Sequence, residues 1–388
     1  MRLFFITMIT DWQGIYNQDI VKSILSRLIE SGRVPHAFLF YGTEGVGKDF
    51  TALRFAQLLN ISNSGNEALN ICRQIGRLEE PYLKFIFPIP RGKNETNEST
   101  PLEKLTPDDV EKVREEVAKR IVNPYHRIKI PKANNIKISS IRDIKKFVSL
   151  SFTDIGYRVI IISDAHLMNE EAQNALLKNL EEPPEGVIFI LTTPLPALLR
   201  ETIRSRCWLV HFQPLLTQDI SSILIEHFGT DSTAANAVAP FCGGSIASAV
   251  SLLNHNFEAL LNKTIHILRY SFGRKYHSAL EEFSSVLSEG SAESVQLIIQ
   301  MITTWFNDLQ RYKISQDDIY FKNYPETLQK FNDKFPELEL TDIIIMLDQL
   351  SASLKGNANL STVVLNTICQ LSLLTLNYKN KPTNKINA

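Results

Sequence analysis

The chain has 388 residues, of which 44% are hydrophobic and 21% charged, and its formal net charge is −1. That length exceeds one ordinary core and points to two or three domains of soluble, globular composition. The near-neutral charge excludes a protein that grips nucleic acid over most of its surface, so any such contact is local or shared with partners.

The four cysteines, Cys72, Cys207, Cys242 and Cys369, are dispersed and include no C-x-x-C pair. They read as reduced, packed thiols, with neither a zinc site nor any other metal site and no disulfide framework. No apolar run reaches membrane-spanning length, so the expected setting is the cytoplasm, without a membrane partner. The segment from Met1 to Met8 is too short for a signal peptide, and Met8 is an alternative start.

Along the chain, apolar residues at Ile20, Ile24, Leu25 and Leu28 predict a helix over 19–29. After Pro35-His36, the apolar run 37–41 reads as a buried parallel strand. It leads into Gly42-Thr43-Glu44-Gly45-Val46-Gly47-Lys48-Asp49 and a helix to about residue 59. A short strand is predicted over 83–87, closed by Pro88 and Pro90. The polar stretch 91–107 reads as a mobile loop and 108–122 as a charged helix, both within an insertion at about 91–139. A helix is expected over 139–150, with Ser139 or Ser140 as N-cap. A strand over 158–162 ends in Ser163-Asp164, and a helix over 169–182 is stopped by Pro183-Pro184. A further strand, 187–191, is capped by Thr192-Thr193.

Alternating strands and helices imply a parallel sheet with helices on both faces. Beyond Pro214 the strands fade, which divides the chain into 1–213, 214–256 and 257–388; the tail after Asn377 reads as frayed.

Phosphate binding needs backbone N–H groups converging on an anion at a helix N-terminus, and a lysine that reaches the β- and γ-phosphates. Gly42, Gly45, Gly47 and Lys48 stand at the required places between a strand and a helix. Next comes Asp49, where a magnesium-ligating hydroxyl is usual. A carboxylate there can still bind Mg²⁺, but it puts negative charge beside the phosphates. An active motor ends its second strand in Asp-Glu, one carboxylate for the metal and one to polarise water. Here the pair is Ser163-Asp164, and Asp164 is either a shortened base or a loop cap. Thr192-Thr193, with Thr193 as the candidate site residue, is either a sensor of the γ-phosphate or a strand-end cap. Arg206 is either a finger that enters a neighbour's site or a surface cation, and Lys178 either faces nucleic acid or is simply solvated.

Three features together resemble bacterial clamp-loader proteins of the AAA+ class: Pro35-His36-Ala37-Phe38-Leu39-Phe40 with its glycine loop, the run 174–184, and Ser205-Arg206-Cys207. The resemblance spans about 12–253 and weakens over the C-terminal third, where Asn357-Ala358-Asn359-Leu360 also fits. It implies an α/β AAA+ domain, built on a P-loop parallel sheet with helices on both faces. A small helical lid and an all-α collar domain would follow. It also implies an open ring that binds ATP, opens the sliding clamp, recognises primer–template DNA and releases the closed clamp on hydrolysis.

Four departures from the motor pattern point to the δ′ type of subunit: Asp49, Ser163-Asp164, the missing zinc cysteines, and Ala247 at the sensor position of Gly244-Ser245-Ile246-Ala247. Such a subunit is a scaffold that joins γ/τ motor subunits and a δ subunit, and Arg206 would serve the neighbouring ATP site. It requires no cofactor and no zinc. For ATP or ADP with Mg²⁺ two readings stand: Asp49 and Ser163-Asp164 argue against an occupant, while Lys48 and the loop glycines allow a structural nucleotide that is bound and not hydrolysed. Contact with DNA is implied through the assembled ring, and with the clamp only indirectly. The alternatives are an active γ/τ-type ATPase, favoured by Lys48, and a branch-migration type of motor, opposed by the pairing of 181–184 with 205–207. The insertion at 91–139 does not match the family core.

Overall fold

The computed structural model describes residues 11–61, 68–93, 95–96, 99–149, 156–287, 292–315, 319–355 and 358–380. The expectations for Met1, Met8 and the last eight residues lie outside the described residues. The chain groups into two compact units. One comprises Met1–Gly229 with Gly244–Ala247, and the other Thr230–Gly243 with Ser248–Ala388.

The first unit runs α1 (Asp19–Ser31), β1 (Ala37–Gly42), α2 (Lys48–Ile61), α3 (Ala68–Gly76), β2 (Leu83–Ile86), α4 (Pro107–Val122), α5 (Ile138–Ser149) and β3 (Arg158–Ile162). It continues through α6 (Glu170–Glu181), β4 (Val187–Thr193), α7 (Glu201–Arg204), β5 (Trp208–Phe212) and α8 (Thr217–Phe228). The strands form one sheet in the order β2-β3-β4-β1-β5, and every pairing is parallel. Strand side chains alternate between faces. Phe38 therefore meets Phe55 of α2 on one side, while Leu39, Ile160 and Phe189 join α5 and α6 on the other. β4 is buried at all seven positions, as the middle strand of a covered sheet should be. β5 lies at an edge with Trp208 and Leu209 half-exposed. That exposure breaks the buried apolar run by which the other strands are recognised, and β5 was not among the predicted strands.

Because the strands are parallel, Gly42, Ile162 and Thr193 all end on the same side of the sheet. The loops that follow them gather there, which is where open α/β sheets build sites.

Several boundaries differ from expectation. α5 begins at Ile138, so Ser139 and Ser140 are buried inside its first turn rather than capping it; the Ser139 hydroxyl faces Glu95 at 3.5 Å. β4 runs through Thr193, which makes both threonines part of the strand. The polar stretch after residue 91 is pinned at Glu95, which pairs with Lys137 at 2.7 Å, both side chains under 10% exposed. The pair ties the segment before α4 to the segment after it.

The second unit is helical: α9 (Ser232–Val238), α10 (Ile246–Asn254, beginning in the first unit), α11 (Phe257–Phe272), α12 (Tyr276–Leu287), α13 (Ala292–Ile314), α14 (Pro325–Lys334), α15 (Thr341–Lys355) and α16 (Leu360–Asn380). α16 is helical to Asn380, beyond the predicted fraying point. The fully buried Trp305 and Phe306 of α13 pack with Phe272 and Phe331. Asp308, also buried, accepts the backbone N–H groups of Tyr320 and Phe321, both at 2.8 Å, and so fixes the segment before α14. Among the described residues no single helix is long and apolar enough to cross a membrane.

Candidate functional site

The glycine loop joins β1 to α2 as the sequence predicts, and its glycines are required by close approach. A Cβ on Gly45 would lie 2.5 Å from the backbone nitrogen of Ala247. The same loop residue accepts a hydrogen bond from the Ile246 N–H at 3.3 Å. The sensor-position residue thus rests its backbone on the loop and presents a methyl group. Gly47 has φ +89°, and a Cβ there would lie 3.2 Å from the Tyr125 ring.

Lys48 does not extend away from the loop. Its Nζ donates to the carbonyls of Gly42 at 2.8 Å and Thr43 at 2.7 Å, and the residue is buried.

Asp49, in the first turn of α2, has both carboxylate oxygens engaged. Ser163 Oγ donates to Oδ2 at 2.6 Å, and Thr192 Oγ1 donates to Oδ1 at 2.5 Å. In the usual arrangement a hydroxyl after the lysine and a carboxylate at the end of the second strand share a metal ion. Here carboxylate and hydroxyl have changed places, and the two side chains meet directly. Of the predicted pair Thr192-Thr193, Thr192 is the threonine that faces Asp49. Thr193 points the other way, and its Oγ1 accepts the Leu195 N–H at 3.0 Å, which stabilises the turn after β4.

Asp164 takes up a left-handed backbone conformation with φ 52°. Its carboxylate accepts from Arg127 Nη2 at 3.0 Å, and Arg127 also pairs with Glu44 of the glycine loop. One guanidinium from the insertion therefore joins the loop to the end of β3. Two residues earlier, Tyr125 packs edge-on against Phe50. Its hydroxyl donates to the Gly14 carbonyl at 2.9 Å and accepts the Tyr16 N–H at 3.4 Å. Burial pushes the Tyr125 phenol well above its ordinary range, so it stays a donor.

Arg120 holds this segment in place. It is only 5% exposed, and its Nη1 donates to the carbonyls of Pro124 and His126. Burial lowers its pKa, with nearby Asp49 opposing. None of Arg120, Tyr125 and Arg127 belongs to a recognisable motif, and the sequence reading missed all three.

Arg206 lies elsewhere. Trp208 pairs with Phe38 and Phe212 with Gly42, so Arg206 precedes the start of β5 while the glycine loop follows the end of β1. About 13 Å of strand separates these two ends of the sheet. Arg206 Nη2 pairs with Glu181 at 2.9 Å, and Nη1 donates to the Thr202 carbonyl at 2.9 Å. With 36% of its side chain exposed, the guanidinium is held at the surface in a defined place. Lys178, on α6, is exposed.

Comparison with known proteins relates the chain to DNA polymerase III subunits. The family model described as DNA polymerase III, delta subunit matches residues 17–216. The DNA polymerase III subunit tau of Bacillus subtilis is 25% identical over 389 residues, covering 93% of this chain and 62% of that protein. The subunit delta′ of the same organism is 24% identical over 359 residues, covering 91% and 96%. Among solved structures, a DNA polymerase III gamma subunit-related protein from Thermotoga maritima is 17% identical with a TM-score of 0.39, covering 90% of this chain and 99% of that one. With more than half of its length matched, the chain belongs to the DNA polymerase III delta subunit family, as a clamp-loader subunit of the AAA+ class.

Proposed function

We propose that this chain is the δ′-type subunit of a DNA polymerase III clamp loader, a scaffold without ATP turnover of its own. The observation that carries this reading is the closed contact of Asp49 with Ser163 and Thr192. The residues present do not fit a magnesium nucleotide. The position after the lysine holds a carboxylate, Asp49, that already accepts from two hydroxyls and would set negative charge beside the phosphates, and Ala247 supplies no charge to them. No hydrolytic step is assigned to this site.

The chemical contribution of the subunit lies at the other end of the sheet. Arg206 is too far from its own glycine loop to act there, but it is fixed at the surface by Glu181 and the Thr202 carbonyl. A guanidinium so held suits delivery, across a subunit boundary, to the charge that develops on ATP bound by a neighbour. Glu181 keeps it oriented until that anion competes for it. The partners in this reading are γ/τ motor subunits and a δ subunit, with primer–template DNA held by the assembled ring and the sliding clamp contacted indirectly.

The test is the DNA-stimulated ATPase of a loader reconstituted with Arg206→Ala. Assembly should be unchanged, and turnover at the adjoining motor site should fall by ~10³-fold. Unchanged turnover would remove the finger from the account.

A further inference from the structure

The insertion has no place in the family pattern, yet it supplies a side chain at each end of the glycine loop. A nucleotide bound to such a loop runs in a known direction. Loop N–H groups hold the α- and β-phosphates, the lysine marks the β/γ side, and the nucleoside leaves on the opposite side. In this chain the β/γ side is the side of Gly42, Thr43 and Asp164, and the far side is the flank of Gly47. Arg127 spans the first, from Glu44 to Asp164. Tyr125 fills the second, its ring against Gly47 and Phe50 and its hydroxyl on the backbone of Gly14 and Tyr16. Two residues apart in sequence, these side chains bracket the loop at both ends.

The connection between them is firmly built. Asn123 Oδ1 accepts the Tyr125 N–H at 2.9 Å, and its Nδ2 donates to the His227 carbonyl at 2.9 Å. His126 pairs with Glu116 of α4 at 2.9 Å, and Glu116 also accepts the Lys129 N–H at 3.1 Å. The buried Arg120 fastens the carbonyls on either side of Tyr125.

We propose that residues 120–127 form a strap that occupies, within the chain itself, the place of a nucleotide, with Tyr125 standing for the nucleoside and Arg127 closing the phosphate end. This rests on the δ′ reading and deepens it: the site is not only unsuited to hydrolysis but filled from within. A ligand must displace the strap, so the apparent affinity is reduced by the fraction of time the strap is open.

The test uses the purified full chain and a fluorescent ADP analogue, N-methylanthraniloyl-ADP, titrated with and without Mg²⁺. Tyr125→Ala combined with Arg127→Ala should bind the analogue at least about tenfold more tightly than the wild type. Arg127→Ala alone removes a half-exposed side chain and should shift affinity in the same direction; it also supplies the answer if the double variant loses its circular-dichroism signature. Affinities within about twofold of wild type, or no binding by any variant, would overturn the strap. Turnover of ATP by the wild-type chain would instead remove the δ′ reading, so the two failures are distinguishable.

Discussion

The two ends of the parallel sheet treat their charged groups in opposite ways. At the C-terminal end, where a nucleotide site belongs, the polar side chains Lys48, Asp49, Asp164 and Arg127 are all engaged by groups of the same chain. At the N-terminal end, Arg206 is held by a single carboxylate and a single carbonyl and stays accessible. On the proposed reading, a nucleotide-binding fold can keep its architecture after its own site has closed if that architecture places a residue for a neighbour. The loop's glycines have structural reasons apart from phosphate: Gly45 for its close approach to the Ala247 backbone, and Gly47 for its φ of +89°.

The largest expected effect lies at the open end. Arg206→Lys keeps the charge but loses the planar fork, so it should recover only part of the ~10³-fold deficit of Arg206→Ala at the adjoining motor site. Full recovery, measured as DNA-stimulated ATP turnover, would show that simple charge suffices and that the hold of Glu181 on the fork is irrelevant.

At the closed end, Asp49→Ala leaves the buried Ser163 and Thr192 hydroxyls without their acceptor. It should destabilise the first unit by about 1–3 kcal/mol, read as a lower urea midpoint. A gain in stability on substitution would mean that Asp49 is a strained metal ligand waiting for its ion.

A smaller effect follows from His227, whose ring lies 5.2 Å from that of Tyr125. Burial lowers its pKa below the ordinary 6.5, with Glu226 opposing. The unfolded chain then binds the proton more readily, so the contribution of His227 is fully present above pH 6.5 and is lost as pH falls below it. The urea midpoint should drop between pH 7.5 and 5.5, and His227→Gln should flatten that part of the profile.

What could be read in advance follows from the range of the interactions. The glycine loop, β1, β3, β4 and α6 are specified locally, by apolar runs, glycines and Pro183, and they were legible. The polarity exchange was half legible. Asp49 and Ser163 each stood out, but their contact joins residues 114 apart in sequence, and that of Asp49 with Thr192 joins residues 143 apart. The pair Thr192-Thr193 stood out at the end of the strand, but which of the two neighbours faces Asp49 depends on the register with β1. The strap left no signal at all. A tyrosine and two arginines in a polar stretch look like surface residues until the fold brings Gly47, Glu44 and Asp164 to them.

The most direct test of the central claim is ATP hydrolysis by the purified subunit alone, beside Lys48→Ala. The account predicts no turnover by either protein, and full activity of a loader reconstituted with Lys48→Ala. Robust turnover by the wild type that disappears with Lys48→Ala would contradict it, and would make this chain a motor with Asp49 as a metal ligand.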